Sequence, residues 1–324
     1  WTTIPTIGVA LMGIGKAEGF SEGWIAGAII SGAYFGDKIS ALSDTTVLAS
    51  SSAQVSLFEH IRYMLITTVP SFIIALCVFF GVSITTVSDS PEQIAYISDA
   101  LRSTFRITPG LFVVPLLTGL LIMRKLPAII TLFVAVVTAC IAIVIFQPDL
   151  LHTIGGGGEF SAFKGLMTIC ASDTAVSTGN ASLDELVATS GMSGMLNTIW
   201  LIICAMCFGG VMTGSGMLES ITNLFLHYVH RTTSIVASTL ATGLFCNLTT
   251  ADQYISIILT GNLFGHLYDN RGLERRLLSR SVEDSATVTS VLIPWNSCGM
   301  TQATVLKVPT LEYLPYCFFN LLSP

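Results

Sequence analysis

The stretch YMLITTVPSFIIALCVFFGVSI, residues 63–84, runs without a single charged side chain. An α-helix rises 1.5 Å per residue, so this stretch is long enough to cross a hydrocarbon core of about 30 Å. A second stretch, PAIITLFVAVVTACIAIVIF at 127–146, is equally apolar and opens on a proline, which the first turn of a helix accepts. Residues 107–123 and 195–213 read as two further spans. The segments 24–35, 233–247, 253–265 and 288–306 are different, being short or interrupted by Gly, Pro, Asn and hydroxyl residues. Irregular backbone at membrane depth is tolerated only where protein or a water-filled cavity satisfies its polar groups. The pattern predicts an all-α polytopic membrane protein with interrupted or re-entrant helices near the midplane.

Composition agrees. Of 324 residues, 52% are hydrophobic and 10% charged, with a mean hydropathy of +0.75. Soluble domains carry about 25% charged residues, so this chain cannot cover itself with a water-facing surface. The net charge of -6 and the lack of a basic arm exclude nucleic acid as a partner. The eight cysteines are scattered through apolar runs and do not form a secreted disulfide framework. The Cys204/Cys207 pair falls in the middle of an apolar helix, where packing is expected over metal or redox use. No basic n-region with a cleavage site marks a signal peptide, and no cofactor motif is present: Gly155–Gly158 is not followed by the Lys-Ser/Thr of a phosphate loop.

Lys and Arg set the orientation. Arg124 and Lys125 lie in the short turn between two spans, and Arg271, Arg275, Arg276 and Arg280 fill one polar connection. With Arg62 and Arg231, these place eight basic residues inside, against Arg102, Arg106 and Lys164 in the opposite connections 85–109 and 147–193. That asymmetry makes Arg124 and Lys125 cytoplasmic.

Two separated regions echo one another. Ser31-Gly32-Ala33-Tyr34-Phe35 corresponds to Thr242-Gly243-Leu244-Phe245-Cys246, Ser43-Asp44-Thr45 to Glu283-Asp284-Ser285, and 58–63 to 311–316, in the same order. Residues 1–84 are therefore read as a first transmembrane repeat, 85–146 as a connecting loop and two-helix hairpin, 147–193 as an external linker loop, and 194–324 as a second repeat. Comparing the halves, the first is expected to be shortened at its N-terminal end and the second at its C-terminal end. Duplicated halves with helices broken at matching positions point to a secondary transporter with a site near the midplane, at the breaks.

The scarce charges near these breaks carry the chemistry. Asp37 and Lys38 follow the first broken segment, Asp44 lies in LSDTTVL, Asp252 in NLTTADQY, and Glu283 and Asp284 open the last stretch. An ionisable group inside a membrane costs roughly 2.5–3.5 kcal/mol or more, so such groups face cavities and mark ion pathways. The simpler alternative for Asp37 is a pair with its neighbour Lys38. The hydroxyls around Asp44 and Asp284 suit a hard monovalent cation: Asp44, Thr45, Asp284 and Ser285 are the expected oxygen donors to Na⁺. Burial favours the neutral form of a carboxyl group, so such a group can also hold a proton. His60, His227, His230 and His266 fall near helix ends, where a solvated or capping role is expected.

The blocks GAYFGDKISALSDTTVLASSSAQVSLFEHIRYML, NLTTADQYISIILTGNLF and LSRSVEDSATVTSVLIPWNSCGM make the chain resemble the NhaC-type sodium/proton antiporter family across nearly its whole length. The resemblance implies a multi-pass secondary antiporter of the bacterial cytoplasmic (inner) membrane, moving Na⁺ and H⁺, with inverted repeats. Carried over by motif, its ion- and proton-binding candidates are Asp37, Ser43, Asp44, Thr45 and Thr46, then Asp252, then Glu283, Asp284, Ser285, Thr287, Trp295 and Asn296. Members of the family are longer at both ends. Some couple Na⁺-lactate to malate-protons, which leaves small carboxylates as alternative cargo with Lys38 as the one positive partner near a break in the first half.

Sodium/proton exchange is the first reading and sodium-coupled carboxylate exchange the second. An intramembrane aspartyl protease would need Tyr-Asp and Gly-x-Gly-Asp; Tyr268-Asp269 falls in the basic connection, and Tyr34-Phe35-Gly36 before Asp37 lacks the first glycine. A serine nucleophile has no Gly-x-Ser-x-Gly to support it, and a passive channel would lack electrochemical coupling. Stoichiometry and oligomeric state, a homodimer included, are left open.

Overall fold

The computed structural model describes residues 4–41, 43–85, 91–124, 126, 128–178, 184, 187–217, 220 and 232–324. Lys125, His227, His230, Arg231 and part of the polar run 172–185 lie outside the described residues. Among the described residues the chain is helical, its one β-contact being an isolated bridge between Thr174 and Thr189. It divides into two units, Trp1–Ser88 with Asn197–Pro324, and Asp89–Leu196. The expected first and second repeats thus share one unit; the expected hairpin and linker loop share the other.

The first unit begins with a π-helical turn (Ile4–Gly8) and continues through α1 (Val9–Ala17), α2 (Glu22–Ile39), α3 (Asp44–Ser52) and α4 (Leu57–Thr85). The first broken segment does not stop at Phe35, because α2 runs on to Ile39. Asp37 and Lys38 therefore stand in its last turn, not in a loop behind it. Helix α4 keeps Pro70 in its interior and exposes Ile66, Ile73, Leu76 and Phe80, a surface that hydrocarbon rather than water would cover.

The second unit holds α5 (Pro91–Thr104), a 3₁₀ turn (Pro109–Phe112), α6 (Val113–Met123), α7 (Ala128–Phe146), α8 (Pro148–Ile154) and α9 (Ser161–Ala171). Part of the expected linker loop is thus helical. Pro148 at N1 starts α8, Leu151 and Ser161 are buried, and the glycine run forms only the turn between two short helices. The side chain of Gln147 exchanges two hydrogen bonds with the backbone of Arg106, at 3.1 and 3.0 Å.

The first unit resumes with α10 (Leu196–Gly214), α11 (Thr232–Thr250), α12 (Gln253–Asn270) and α13 (Arg275–Val282). A π-helical turn (Glu283–Thr287) and a short helical turn (Val288–Ser290) follow, then α14 (Ser297–Leu306), Thr310–Tyr313 and α15 (Phe318–Leu322). Among the described residues two helices, α4 and α10, are long and apolar enough to cross a membrane. The count rises to four if 98–104 with 109–121, bent by 91°, and 130–146 with 148–154, bent by 98°, each make one span. Cys204 and Cys207 lie within α10 as expected, but both are exposed, not packed.

Helices α11 and α12 fold back on each other. The hydroxyls of Thr239 and Tyr268 lie 3.2 Å apart, on either side of the turn at Ala251–Asp252. Ala251 takes a left-handed backbone with φ of 55°, which a residue with a Cβ adopts at a cost of about 1 kcal/mol or more. Asp252 then caps α12, accepting the Ile255 amide at 3.0 Å.

Two apolar clusters hold this unit together. One joins α2 and α4 to the segment 291–319; Trp24 meets Phe79, Tyr316 and Phe318 edge-on at 5.2–5.6 Å, and Phe35 stacks on Phe72 at 3.7 Å. Gly27 makes this approach feasible, since a Cβ there would lie 2.6 Å from the Tyr316 carbonyl oxygen. The other cluster joins α3, α11, α12 and α13 through Ala49, Ile235, Ile257, Phe264 and Leu278.

Of the three sequence echoes, the first pair is helical in both copies, on α2 and α11. Ser43–Thr45 starts a helix whereas Glu283–Ser285 lies in a π turn, and 58–63 is continuous α-helix where 311–316 is a short helix with a 3₁₀ turn.

Candidate functional site

The π turn is the centre of the first unit. Up to Val282 the helix is amphipathic, with Arg275, Arg276 and Arg280 on one side and buried Leu278, Ser279 and Val282 on the other. From Ser281 to Val291 every residue is buried, including Glu283 and Asp284. A π turn inserts an extra residue into the helical ladder, which rotates side chains out of register and frees carbonyl groups. Asn247 of α11 answers them: its amide donates to the Ala286 carbonyl at 2.6 Å and to the Thr289 hydroxyl at 3.1 Å. Asn320 does the same for the Val288 carbonyl at 2.9 Å. Gly243 presses against the turn, where a Cβ would lie 2.7 Å from Ser285 Cβ.

Asp284 is a charge with two cationic neighbours. Fully buried Lys38 donates to its Oδ1 and to the Ser323 hydroxyl, and the Arg280 guanidinium lies 3.6 Å from its Oδ2. Lys38 also stands over the Phe319 ring at 5.7 Å. The expected alternative, an Asp37–Lys38 pair, is therefore not formed. Adjacent residues on a helix point about 100° apart and do not face each other, so Lys38 reaches across to the π turn instead.

Asp37 turns toward α3. The Thr45 hydroxyl sits 3.2 Å from Asp37 Oδ2, 3.4 Å from Glu283 Oε1 and 2.9 Å from the Ser43 hydroxyl. Thr46 donates to the Asp37 carbonyl at 3.3 Å. Glu283 is fully buried and its Oε2 has no partner; the Thr287 hydroxyl one turn on has none either. Among the described residues neither Asp37 nor Glu283 forms an ion pair with a Lys or Arg.

The remaining candidates have other surroundings. Asp44 is exposed, accepts the Tyr254 phenol at 2.7 Å and takes the Thr45 amide at 3.0 Å. Ser285 donates within its own helix, to Ser281. Asn296 caps α14 and reaches the Asn247 carbonyl at 3.3 Å, while exposed Trp295 donates its indole N–H to the Leu248 carbonyl at 2.8 Å. Trp295 and Asn296 thus bind the 291–296 break to the end of α11. The expected Na⁺ donors are divided: Thr45 stands with Asp37 and Glu283, Asp284 with Lys38, and Asp44 with Tyr254.

His60, expected to be solvated or to cap a helix, is instead fully buried and hydrogen-bonded to Ser279. His266 is exposed, as expected. Asn247, Tyr254 and Asn320 were not among the sequence candidates. Asn247 is the first residue of the block NLTTADQYISIILTGNLF, 247–264, and a buried Asn in an apolar helix was the available signal. Among the described residues no three His, Cys, Asp or Glu side chains converge as a divalent or transition metal would require. Two carboxylates with hydroxyls form a donor set for a hard, singly charged ion.

The family model described as "Na+/H+ antiporter family" matches residues 32–324. The whole chain is 34% identical to the Na(+)/H(+) antiporter NhaC of Bacillus subtilis, covering 69% of that protein. It is 35% identical to the Na(+)/H(+) antiporter NhaC of Alkalihalophilus pseudofirmus, again over the whole chain and 68% of the relative. The malate-2H(+)/Na(+)-lactate antiporter of Bacillus subtilis is 32% identical over the whole chain and 67% of its own length. No solved structure matches the chain.

Proposed function

The chain belongs to the Na⁺/H⁺ antiporter family, and on that premise we propose that it exchanges Na⁺ for H⁺ across the bacterial cytoplasmic membrane as a multi-pass secondary antiporter. The ions compete for membrane-embedded carboxylates at the helix breaks. The observation that carries this reading is a buried acidic group with unequal compensation: Asp284 pairs with Lys38 and Arg280, whereas buried Glu283 forms no ion pair among the described residues. An isolated buried carboxylate is costly; it becomes tolerable when a proton or a metal cation neutralises it. Either ion does so, and they exclude each other.

The inverted-repeat architecture with re-entrant helices belongs to the same proposal. It is supported by the order of the sequence echoes and by the tight α11–α12 hairpin, whose turn carries Asp252. Carboxylate exchange, named for the third relative above, is less favoured by the site. Lys38, the one buried lysine among the described residues, already donates to Asp284.

Reconstitution of the chain in proteoliposomes with an imposed pH gradient tests the reading. Added Na⁺ is expected to dissipate the gradient without malate or lactate. Proton movement that ignores Na⁺, or that appears only with an added carboxylate, contradicts it.

A further inference from the structure

Asp37, Glu283 and Asp284 carry three negative charges when ionised, and Lys38 and Arg280 supply two positive ones. The group is one positive charge short, and geometry says where. Both oxygens of Asp284 face cations. Asp252 caps α12, and exposed Asp44 accepts the Tyr254 phenol. The deficit therefore falls on Asp37 and Glu283.

We propose that Asp37, Thr45 and Glu283 form the exchange site, holding one Na⁺ or one proton in turn, and that Lys38, Asp284 and Arg280 are a fixed counter-charge that takes no cargo. This assignment rests on the antiport reading above. The Thr45 hydroxyl lies within 3.4 Å of both carboxylates but owns a single proton, so it can donate to only one of them. Two carboxylates facing one hydroxyl repel unless a positive charge or a shared proton joins them. Glu283 Oε2 is buried with no partner, leaving its lone pairs for an ion. Asp37 stands in the last turn of α2, and the negative end of a helix dipole favours a cation there. The Ser43 hydroxyl, 2.9 Å from Thr45 Oγ1, adds a further oxygen.

The test is binding of radioactive Na⁺ to the purified full chain at two pH values. Glu283→Gln and Asp37→Asn are each expected to weaken binding by about tenfold or more, and to remove the loss of affinity on acidification. Thr45→Val is expected to weaken binding several-fold and Thr45→Ser to restore it. Melting curves establish which variants are folded, and if a carboxamide variant is not, the Val/Ser comparison decides. A folded Glu283→Gln or Thr45→Val protein that binds Na⁺ as tightly as wild type, with proton competition intact, overturns the site and leaves antiport standing on another carboxylate. Wild-type protein whose Na⁺ binding is absent or indifferent to pH overturns the antiport reading itself.

Discussion

Lys38 is buried without access to water, and it has Asp284, Ser323 and the Phe319 ring around it. Removing one member of a buried ion pair leaves the other uncompensated, at a cost of about 3–5 kcal/mol, whereas replacing both by apolar residues is often close to neutral. Lys38→Met is therefore expected to lower the melting temperature sharply, and Lys38→Met with Asp284→Leu to recover most of the loss. Equal losses in the single and double variants would mean that the pair contributes nothing of this kind. The sequence placed Lys38 at a helix break, with a pair to Asp37 as the simpler alternative, and did not point to Asp284 as its partner. Asp37 adjoins it in the chain, and only a helix reaching Ile39 turns the two side chains apart. Residue identity revealed that charge was present in the membrane; the direction each charge faces depended on where α2 ended.

At the scale of elements, the π turn and the α11–α12 hairpin depend on one another. Asn247 satisfies the carbonyls that the π turn releases, so Asn247→Leu strands at least one buried acceptor. The expected cost is about 1–3 kcal/mol, read as a lower unfolding midpoint, while Asn247→Leu with unchanged stability would show that the turn finds its donors elsewhere. Apolar runs told where α4, α7 and α10 lie to within a few residues, because hydrophobic length is a local property. Breaks were visible too, at Asp252 and at Pro294-Trp295-Asn296. Whether a break bends a helix, widens it or folds it back was not, since that depends on partners such as Asn247 and Tyr313 far away in the chain. The helices α8 and α9 within residues 147–193 were not legible for a related reason: the glycine run dominates the local pattern, while the burial of Leu151 and Ser161 that supports them comes from packing.

At the scale of the whole molecule, the 10% of charged residues is divided between orientation and chemistry. The turn at Gly272, with φ of 66°, adjoins Glu274–Arg276 and Asp269–Arg275 pairs, and the basic excess predicts a cytoplasmic position for it. An epitope inserted at this turn is expected to be reached only in inside-out vesicles; labelling from outside would reverse the topology. The site lies within one unit, assembled from α2, α3 and the π turn after α13, so residues 37–45 and residue 283 must be brought together by the fold. The motif blocks named these residues as one group, and their packing divides them into an aspartate held by Lys38 and Arg280 and two carboxylates that form no ion pair with a Lys or Arg among the described residues.

The claim on which everything rests is that one cation and one proton exclude each other from the same carboxylates. It is tested most directly by the apparent KM for Na⁺ in reconstituted exchange, measured across pH. Competition for a single site predicts that this KM rises by about tenfold for each unit of acidification on the acidic limb, while the maximal rate at saturating Na⁺ is recovered. A KM for Na⁺ that stays constant over the same range, with exchange still running, would contradict it.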